Sequence, residues 1–213
     1  MTGPDFQFLA VPGSILVLIT ALLLLAFQDW RFSLIGLSIQ YLGVFFLVGL
    51  HWPFVMAATK LIAGWISIAV LGMAAVSGFE FDNELSQEQS QSRIIRSASR
   101  SLLLSAFQLA TAAMIVLVVL SLGSSIDQWI PALGAADTFG AFILIGLGLL
   151  HLGFSSQPLH VILSLLTILS GFEIIYSAVE QSTLVAGMLS GVTLGLAMIG
   201  AYLFIAGVSR NEE

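Results

Sequence analysis

The stretch PLHVILSLLTILSGFEIIYSAVEQ, residues 158–181, is long and apolar enough to cross a lipid bilayer as one helix, which takes about 20 apolar residues. It nevertheless carries two carboxyl groups, at Glu173 and Glu180. A spacing of seven residues is almost two helical turns, so both carboxyls are predicted near one face of the helix. An acidic side chain in the middle of a bilayer costs roughly 2.5–3.5 kcal/mol. Membrane anchoring does not require that cost, so the stretch indicates a function within the membrane.

The two carboxyls of this stretch have different interpretations. Glu173 is the deeper one, and intramembrane acids commonly serve proton relays, so it is the main candidate for a proton path. The alternative for Glu173 is a buried, protonated side chain that hydrogen-bonds a neighbouring helix. Glu180 lies near the end of the stretch and can reach the headgroups. It is interpreted first as an interfacial carboxylate and second as a further member of the path.

The composition of the chain excludes a soluble domain. Of its 213 residues, 58% are hydrophobic and only 8% are charged, whereas ordinary soluble domains have about 25% charged residues. The chain has no cysteine, which excludes disulfides, thiolate metal sites and a cysteine nucleophile. Its net charge of −6 argues against binding nucleic acid, which requires a basic patch. The first apolar run lacks the flanks of a signal peptide and is interpreted as a retained helix.

Seven apolar runs predict an all-α, polytopic membrane bundle of about seven transmembrane helices. The runs are residues 11–27, 32–50, 54–78, 101–122, 138–154, 158–181 and 183–208. They divide the chain into three parts, since a long polar loop follows the third run and a second loop follows the fourth. The parts are residues 1–100, which include the polar loop at 79–100, then residues 101–137 and residues 138–213. The boundary between the sixth and seventh runs is the least defined.

The basic residues of the loops predict the orientation. Five of the six Lys and Arg residues lie outside the apolar runs, at Arg31, Arg93, Arg96, Arg100 and Arg210. With seven spans, all five fall on the same side of the membrane. The positive-inside rule then places the N-terminus outside and the C-terminus in the cytoplasm.

Several polar residues lie within the apolar runs. Lys60 is six to seven residues into the third run, and it is interpreted either as a basic partner in a proton path or as a lysine that snorkels to the interface. Gln40 and Tyr41 in the second run and Gln108 in the fourth are interpreted as interhelical hydrogen-bonding residues.

The histidines do not predict a metal centre. His151 and His160 flank the short turn between the fifth and sixth runs, and two such residues can bind a metal. No third ligand is visible nearby, so they are interpreted as interfacial residues, as is His51. The chain also lacks nucleotide-binding, zinc-protease and serine-hydrolase motifs. We therefore expect no cofactor in this chain and no covalent chemistry by the chain alone.

The seventh run contains glycines at a spacing of four, at Gly187, Gly191 and Gly195. This spacing gives the helix one flat face, which in lipid permits close approach to another helix. The glycines are interpreted as a packing device and not as a binding site.

Three stretches carry a resemblance to known families. GFEIIYSA, residues 171–178, resembles the second helix of subunit K of bacterial respiratory complex I, where a G-x-E-I-x-x-x-A core surrounds an embedded glutamate that falls on Glu173. The turn at Arg31, SLIGLSIQYLGVFFLV (residues 33–48) and ATKLIAGWISIAVLGMAAV (residues 58–76) are similar to the E-type membrane component of hydrogenase 4. That family is seven-spanning, has about this length and ends in a part like subunit K.

The resemblance implies a small subunit of a proton- or ion-translocating oxidoreductase complex in a prokaryotic cell membrane. Its partners would be other membrane subunits, including antiporter-like ones. Two features depart from subunit K: the seventh run lacks a second buried glutamate, and Pro158-Leu159-His160 replaces the basic-Asn pair. The alternatives are a structural or assembly subunit without a role in proton transfer and a free-standing small transporter. No inverted repeat is evident to support the transporter.

Overall fold

The computed structural model describes residues 7–27, 29–85, 98–129 and 133–210, and in these segments the chain forms seven α-helices and no β-strand. The helices are α1 (Gln7–Ala26), α2 (Trp30–Val48), α3 (Phe54–Leu85), α4 (Ala98–Trp129), α5 (Ala135–Phe154), α6 (Pro158–Val179) and α7 (Thr183–Arg210). All except α4 are long and apolar enough to cross a membrane, and α4 contains a shorter apolar stretch at Ala106–Leu122. The predicted all-α, polytopic membrane bundle is confirmed.

The predicted helix ends need correction at the polar connections. α3 continues to Leu85, beyond the predicted end at residue 78, and α4 extends from Ala98 to Trp129. The predicted polar loop at 79–100 is therefore helical at both ends, and Arg93 and Arg96 lie outside the described residues. An apolar run gives the length that must cross the bilayer, whereas a helix continues until its backbone is interrupted. α4 ends just before Pro131, whose ring disfavours helix in the preceding residue.

The connection between α6 and α7 also differs from the prediction. α6 ends at Val179, so Glu180 is the residue after its last turn and does not share a helical face with Glu173. α7 begins immediately afterwards, where the amide of Ala186 donates to the carbonyl oxygen of Ser182 at 3.1 Å. Serine is a favourable residue just before a helix, which suits the start of α7 at Thr183.

α6 lies in the middle of the bundle, where it contacts α2, α5 and α7. Two hydrophobic clusters surround it. The first is centred on α1, α2 and α5 and includes Leu47, Ile143 and Leu144. The second joins α2, α3 and α6 and includes Leu71 and Leu163. Because both clusters border α6, its polar side chains are shielded from lipid.

The closest helix contact of α6 is with α5. A Cβ atom added to Gly171 would lie 2.7 Å from the carbonyl oxygen of Ala141 and 2.9 Å from the Cβ atom of Leu144. Real Cβ atoms essentially never approach other atoms within 3.0 Å, so only glycine permits this packing. The backbone of α6 thus rests directly on α5, two residues before Glu173.

The glycine stripe of α7 does not make such a contact. Apart from adjacent residues and the nearby backbone of α7 itself, no described atom lies within 4 Å of a Cβ atom built at Gly187, Gly191 or Gly195. The face that α7 turns to the bundle contains Thr193 and Gly200, and Gly200 packs against Ile162 of α6. Thr193 is two residues from Gly191, which is about 200° around the helix. The predicted packing of the stripe is thus not seen within the described chain, and its contact with another chain stays a prediction.

We expect Gly171→Ala to lower the midpoint of thermal unfolding in detergent. The added methyl group meets backbone, which cannot move aside easily, and overpacking of this kind typically costs about 1–3 kcal/mol. Gly191→Ala is the matched control, because it has the same chemistry in an open position and gains helix propensity. Equal unfolding midpoints for the two variants would contradict the tight α5–α6 contact.

Candidate functional site

A buried ion pair joins α3 and α6. The Nζ atom of Lys60 contacts the Oε1 atom of Glu173, and the side chains are only 4% and 2% exposed. Lys60 is in the second turn of α3, and Glu173 is in the second half of α6. The structure therefore brings together the two residues that were the main sequence candidates. Removing one partner of such a pair leaves an uncompensated charge away from water, which is strongly destabilising.

Thr193 of α7 completes this site. Lys60 Nζ donates a hydrogen bond to Thr193 Oγ1 at 2.6 Å. The single hydroxyl hydrogen of Thr193 can be donated to Glu173 Oε1 at 3.4 Å or to the carbonyl oxygen of Leu189 at 3.0 Å. Thr193 thus contacts both members of the ion pair and fixes α7 against α3 and α6. Sequence reasoning missed this residue, because a threonine in an apolar run has many structural uses.

Two residues of α2 extend the polar centre. Gln40 Nε2 donates to Thr167 Oγ1 of α6 at 3.3 Å, so the predicted interhelical hydrogen bond of Gln40 is confirmed. The buried ring of Tyr41 covers Gly64 of α3, where a Cβ atom would lie 2.6 Å from the ring. The Tyr41 hydroxyl lies beside Ser170 and within electrostatic reach of Glu173.

Several polar atoms of this centre have unused hydrogen-bonding capacity. In the described part of the chain, Glu173 Oε2 and Gln40 Oε1 are buried without a hydrogen-bond partner, and the Tyr41 hydroxyl has none of good geometry. Buried polar atoms in proteins are nearly always satisfied by protein or by ordered water. The second carboxylate oxygen of Glu173 is therefore available to a proton donor.

Glu180 does not belong to this centre. Its side chain is exposed, and its contact with the bundle is made by the backbone, where its carbonyl oxygen accepts a hydrogen bond from Trp52 Nε1 at 2.9 Å. The structure thus separates Glu180 from the Lys60–Glu173 pair. Its place in a proton path stays a prediction without structural support.

A hydrogen bond between two side chains lies at the same end of the bundle as Glu180. His51 Nε2 is 3.0 Å from Asp137 Oδ2, and the Asp137 side chain is only 4% exposed. The pair connects the segment before α3 to the first turn of α5. Asp137 was expected in a loop, although an acidic residue in a first helical turn is favoured by the helix dipole.

His151 and His160 lie at the other end of the bundle. Their rings are 5.8 Å apart and nearly perpendicular, and both side chains are buried between α5 and α6. They border a cavity that Gln108 of α4 also lines. Among the described residues, no group of three or more His, Asp or Glu side chains can hold a metal ion.

Comparison with known protein families, with characterised proteins and with solved structures finds no match to this chain. The resemblance to components of complex I and hydrogenase 4 therefore stays an expectation based on short motifs. The geometry around Glu173 is therefore the basis on which a function is assigned.

Proposed function

We propose that this chain is a small integral subunit of a proton-translocating oxidoreductase complex in a prokaryotic cell membrane, of the complex I and group 4 hydrogenase kind. In this role, Lys60 and Glu173 transfer protons within the bilayer. The observation that carries the proposal is the buried ion pair between two transmembrane helices of a chain with very few charges. Such pairs are costly in a membrane and commonly mark ion pathways.

The chemistry of the pair suits a relay. A proton that binds to the Glu173 carboxylate gives the neutral acid and removes the counter-charge of Lys60. The ammonium group of Lys60 then lacks its partner in a site of low dielectric, which favours release of a proton to the next acceptor and leaves a neutral amine. One proton enters at Glu173 and one leaves at Lys60, so the total charge of the site is unchanged. Transfer of a proton from the Glu173 acid to the Lys60 amine then restores the ion pair.

Thr193 keeps the side chains of Lys60 and Glu173 next to each other during this exchange. Its oxygen accepts from Lys60, and its hydrogen can reach Glu173. The three residues come from three different helices, so a small helix movement changes both contacts together. In a complex of this kind, electron transfer in partner subunits would supply the energy for such a movement.

The membership in a complex is tested by purification of the tagged chain from its native membrane in a mild detergent. We expect it to co-purify with at least one large antiporter-like membrane subunit and with a subunit that carries redox centres. A tagged, unrelated polytopic protein from the same cells is the control for non-specific association. Recovery of the chain alone under conditions that preserve other membrane complexes would overturn the proposal.

A further inference from the structure

A partly open cavity of about 110 Å³ lies where α5 connects to α6. Its apolar wall is formed by Leu24, Leu25 and Phe154. Its polar lining residues are Gln108, His151, Ser155, Ser156, Gln157 and His160. Pockets for whole drug-sized ligands measure about 300–1,000 Å³, so this cavity suits a small polar group. We refer to it as the histidine cavity.

His151 is a buried polar side chain of the histidine cavity that lacks a hydrogen-bond partner. The residue is only 7% exposed, and its ring makes an edge contact with the ring of His160. Its imidazole nitrogens make no hydrogen bond within the described part of the chain. Buried polar groups in proteins are nearly always satisfied, and an imidazole can always donate at least one hydrogen bond. A hydrogen-bond acceptor bound in the cavity would satisfy His151.

The start of α6 adds backbone donors at the same place. Gln157, the residue before this 22-residue helix, does not cap it with its side chain. Val161 has the first amide of α6 that finds a backbone acceptor, the carbonyl oxygen of Gln157 at 3.1 Å. The amide of Leu159 precedes it and has no acceptor within the helix. Helix N-termini favour phosphate, because their free amides and the positive end of the helix dipole face the anion.

The end of α5 does not oppose this preference. Carbonyl groups at a helix end favour cations, but Ser155 occupies two of them. Its hydroxyl donates to the carbonyl oxygen of His151 at 2.6 Å, and its amide donates to that of Leu152 at 3.3 Å. The described lining of the cavity contains no Asp or Glu. The cavity thus offers hydrogen-bond donors without a negative side chain.

The location of the histidine cavity suits a lipid headgroup. α5 and α6 are both long enough to cross a bilayer, so the turn between them lies at a membrane surface. Arg31, in the first turn of α2, lies at the same end of the bundle. The predicted orientation places this end in the cytoplasm, where the leaflet is rich in anionic lipids.

We propose that the histidine cavity binds a phosphate group, carried either by a phospholipid headgroup or by free phosphate. The imidazole of His151, the amide of Leu159 and the exposed hydroxyl of Ser156 are its donors. The site is separate from the Lys60–Glu173 pair, so it does not depend on the proposed function. The alternatives are a cavity that holds only water and one that takes any polar headgroup.

The contact is measured by solid-state NMR as the loss of ¹⁵N-histidine signal through coupling to nearby ³¹P. The full chain with His51→Ala is placed in vesicles of glucosyl diacylglycerol, which contains no phosphorus, so that only His151 and His160 report. One sample receives a small fraction of phosphatidylglycerol, and another receives inorganic phosphate in the buffer. Signal loss with the lipid alone identifies a headgroup site, and loss with inorganic phosphate identifies a site for the free anion.

The matched control retains only His51, through His151→Phe and His160→Phe. Its histidine lies at the opposite end of the bundle and should keep its signal in both samples. No signal loss from the cavity histidines with either phosphate source would overturn the proposal. Equal loss from His51 would also overturn it, because it would show general contact of interfacial histidines with phosphate.

A second measurement uses the unfolding midpoint of the full chain in an uncharged detergent. At about a hundred times its dissociation constant, phosphatidylglycerol or phosphate should raise the midpoint by roughly 5 °C. Glucosyl diacylglycerol should not, and His51→Ala should keep the full rise. His151→Phe retains an aromatic ring without donors and should lose the rise.

Gln108→Leu tests the same cavity from α4, in a half-exposed position that tolerates leucine, where His151→Phe does not fold. It should reduce the rise by more than half. An equal rise with the glycolipid would overturn the preference for phosphate. A full rise in both His151→Phe and Gln108→Leu would overturn the histidine cavity as the site.

Discussion

The double variant Lys60→Met with Glu173→Gln is expected to abolish proton pumping by the assembled complex while the chain stays folded. The variant removes both groups that exchange protons, but it leaves two neutral side chains of similar size in their place. Glutamine can still accept a hydrogen bond from Thr193, and methionine adapts well to irregular interior space. No buried charge is left without a partner, so assembly should be close to that of the parent.

Proton pumping is measured with a pH-sensitive dye in inside-out vesicles, and assembly is measured by co-purification from the same membranes. Ser67→Ala is the control, since it changes a buried polar residue of α3 that lies away from the ion pair. If the pair is only structural glue, the neutral double variant should pump normally. Normal pumping would therefore remove Lys60 and Glu173 from the mechanism and favour the structural alternative.

The single variant Lys60→Met is expected to destabilise the chain far more than the double variant. It leaves the Glu173 carboxylate buried without its counter-charge, and breaking a buried ion pair in this way typically costs about 3–5 kcal/mol. Addition of Glu173→Gln removes the isolated charge and should recover most of the loss. The free energy of unfolding in detergent, measured for the parent, the two single variants and the double variant, gives the coupling between the residues.

The contact between His51 and Asp137 supplies a comparison for this set of Lys60 and Glu173 variants. The His51 side chain is 19% exposed, so water can replace part of the lost contact when one partner is removed. We expect His51→Ala to cost less than Lys60→Met. Additive effects of Lys60→Met and Glu173→Gln would contradict a direct ion pair between these two residues.

The bundle was predictable because the chain must cover a fixed thickness of lipid with apolar side chains. The same constraint made the pairing of Lys60 and Glu173 a reasonable expectation, since a buried charge needs a partner. It did not predict where helices end: Glu180 was placed within α6, and the polar segment after residue 78 was placed in a loop. These ends depend on local capping and on proline, which apolar length does not measure.

Other parts of the site depend on which face a helix turns inward. The glycines of α7 and Thr193 lie in the same apolar run, and only tertiary packing decides that Thr193 faces α3 and α6. Asp137 was also missed, because its partner His51 is distant in the sequence.

The ion pair also has a consequence for the biosynthesis of the chain. α3 leaves the ribosome before α6, so Lys60 enters the membrane when its partner has not yet been made. A lysine near the end of a helix can extend its ammonium group to the interface until its partner is inserted. Glu173 lies deeper and its side chain is too short to reach the interface, so an isolated α6 would insert poorly. Prior insertion of α3 should therefore assist the insertion of α6, which makes the order of the helices in the gene part of how the protein assembles.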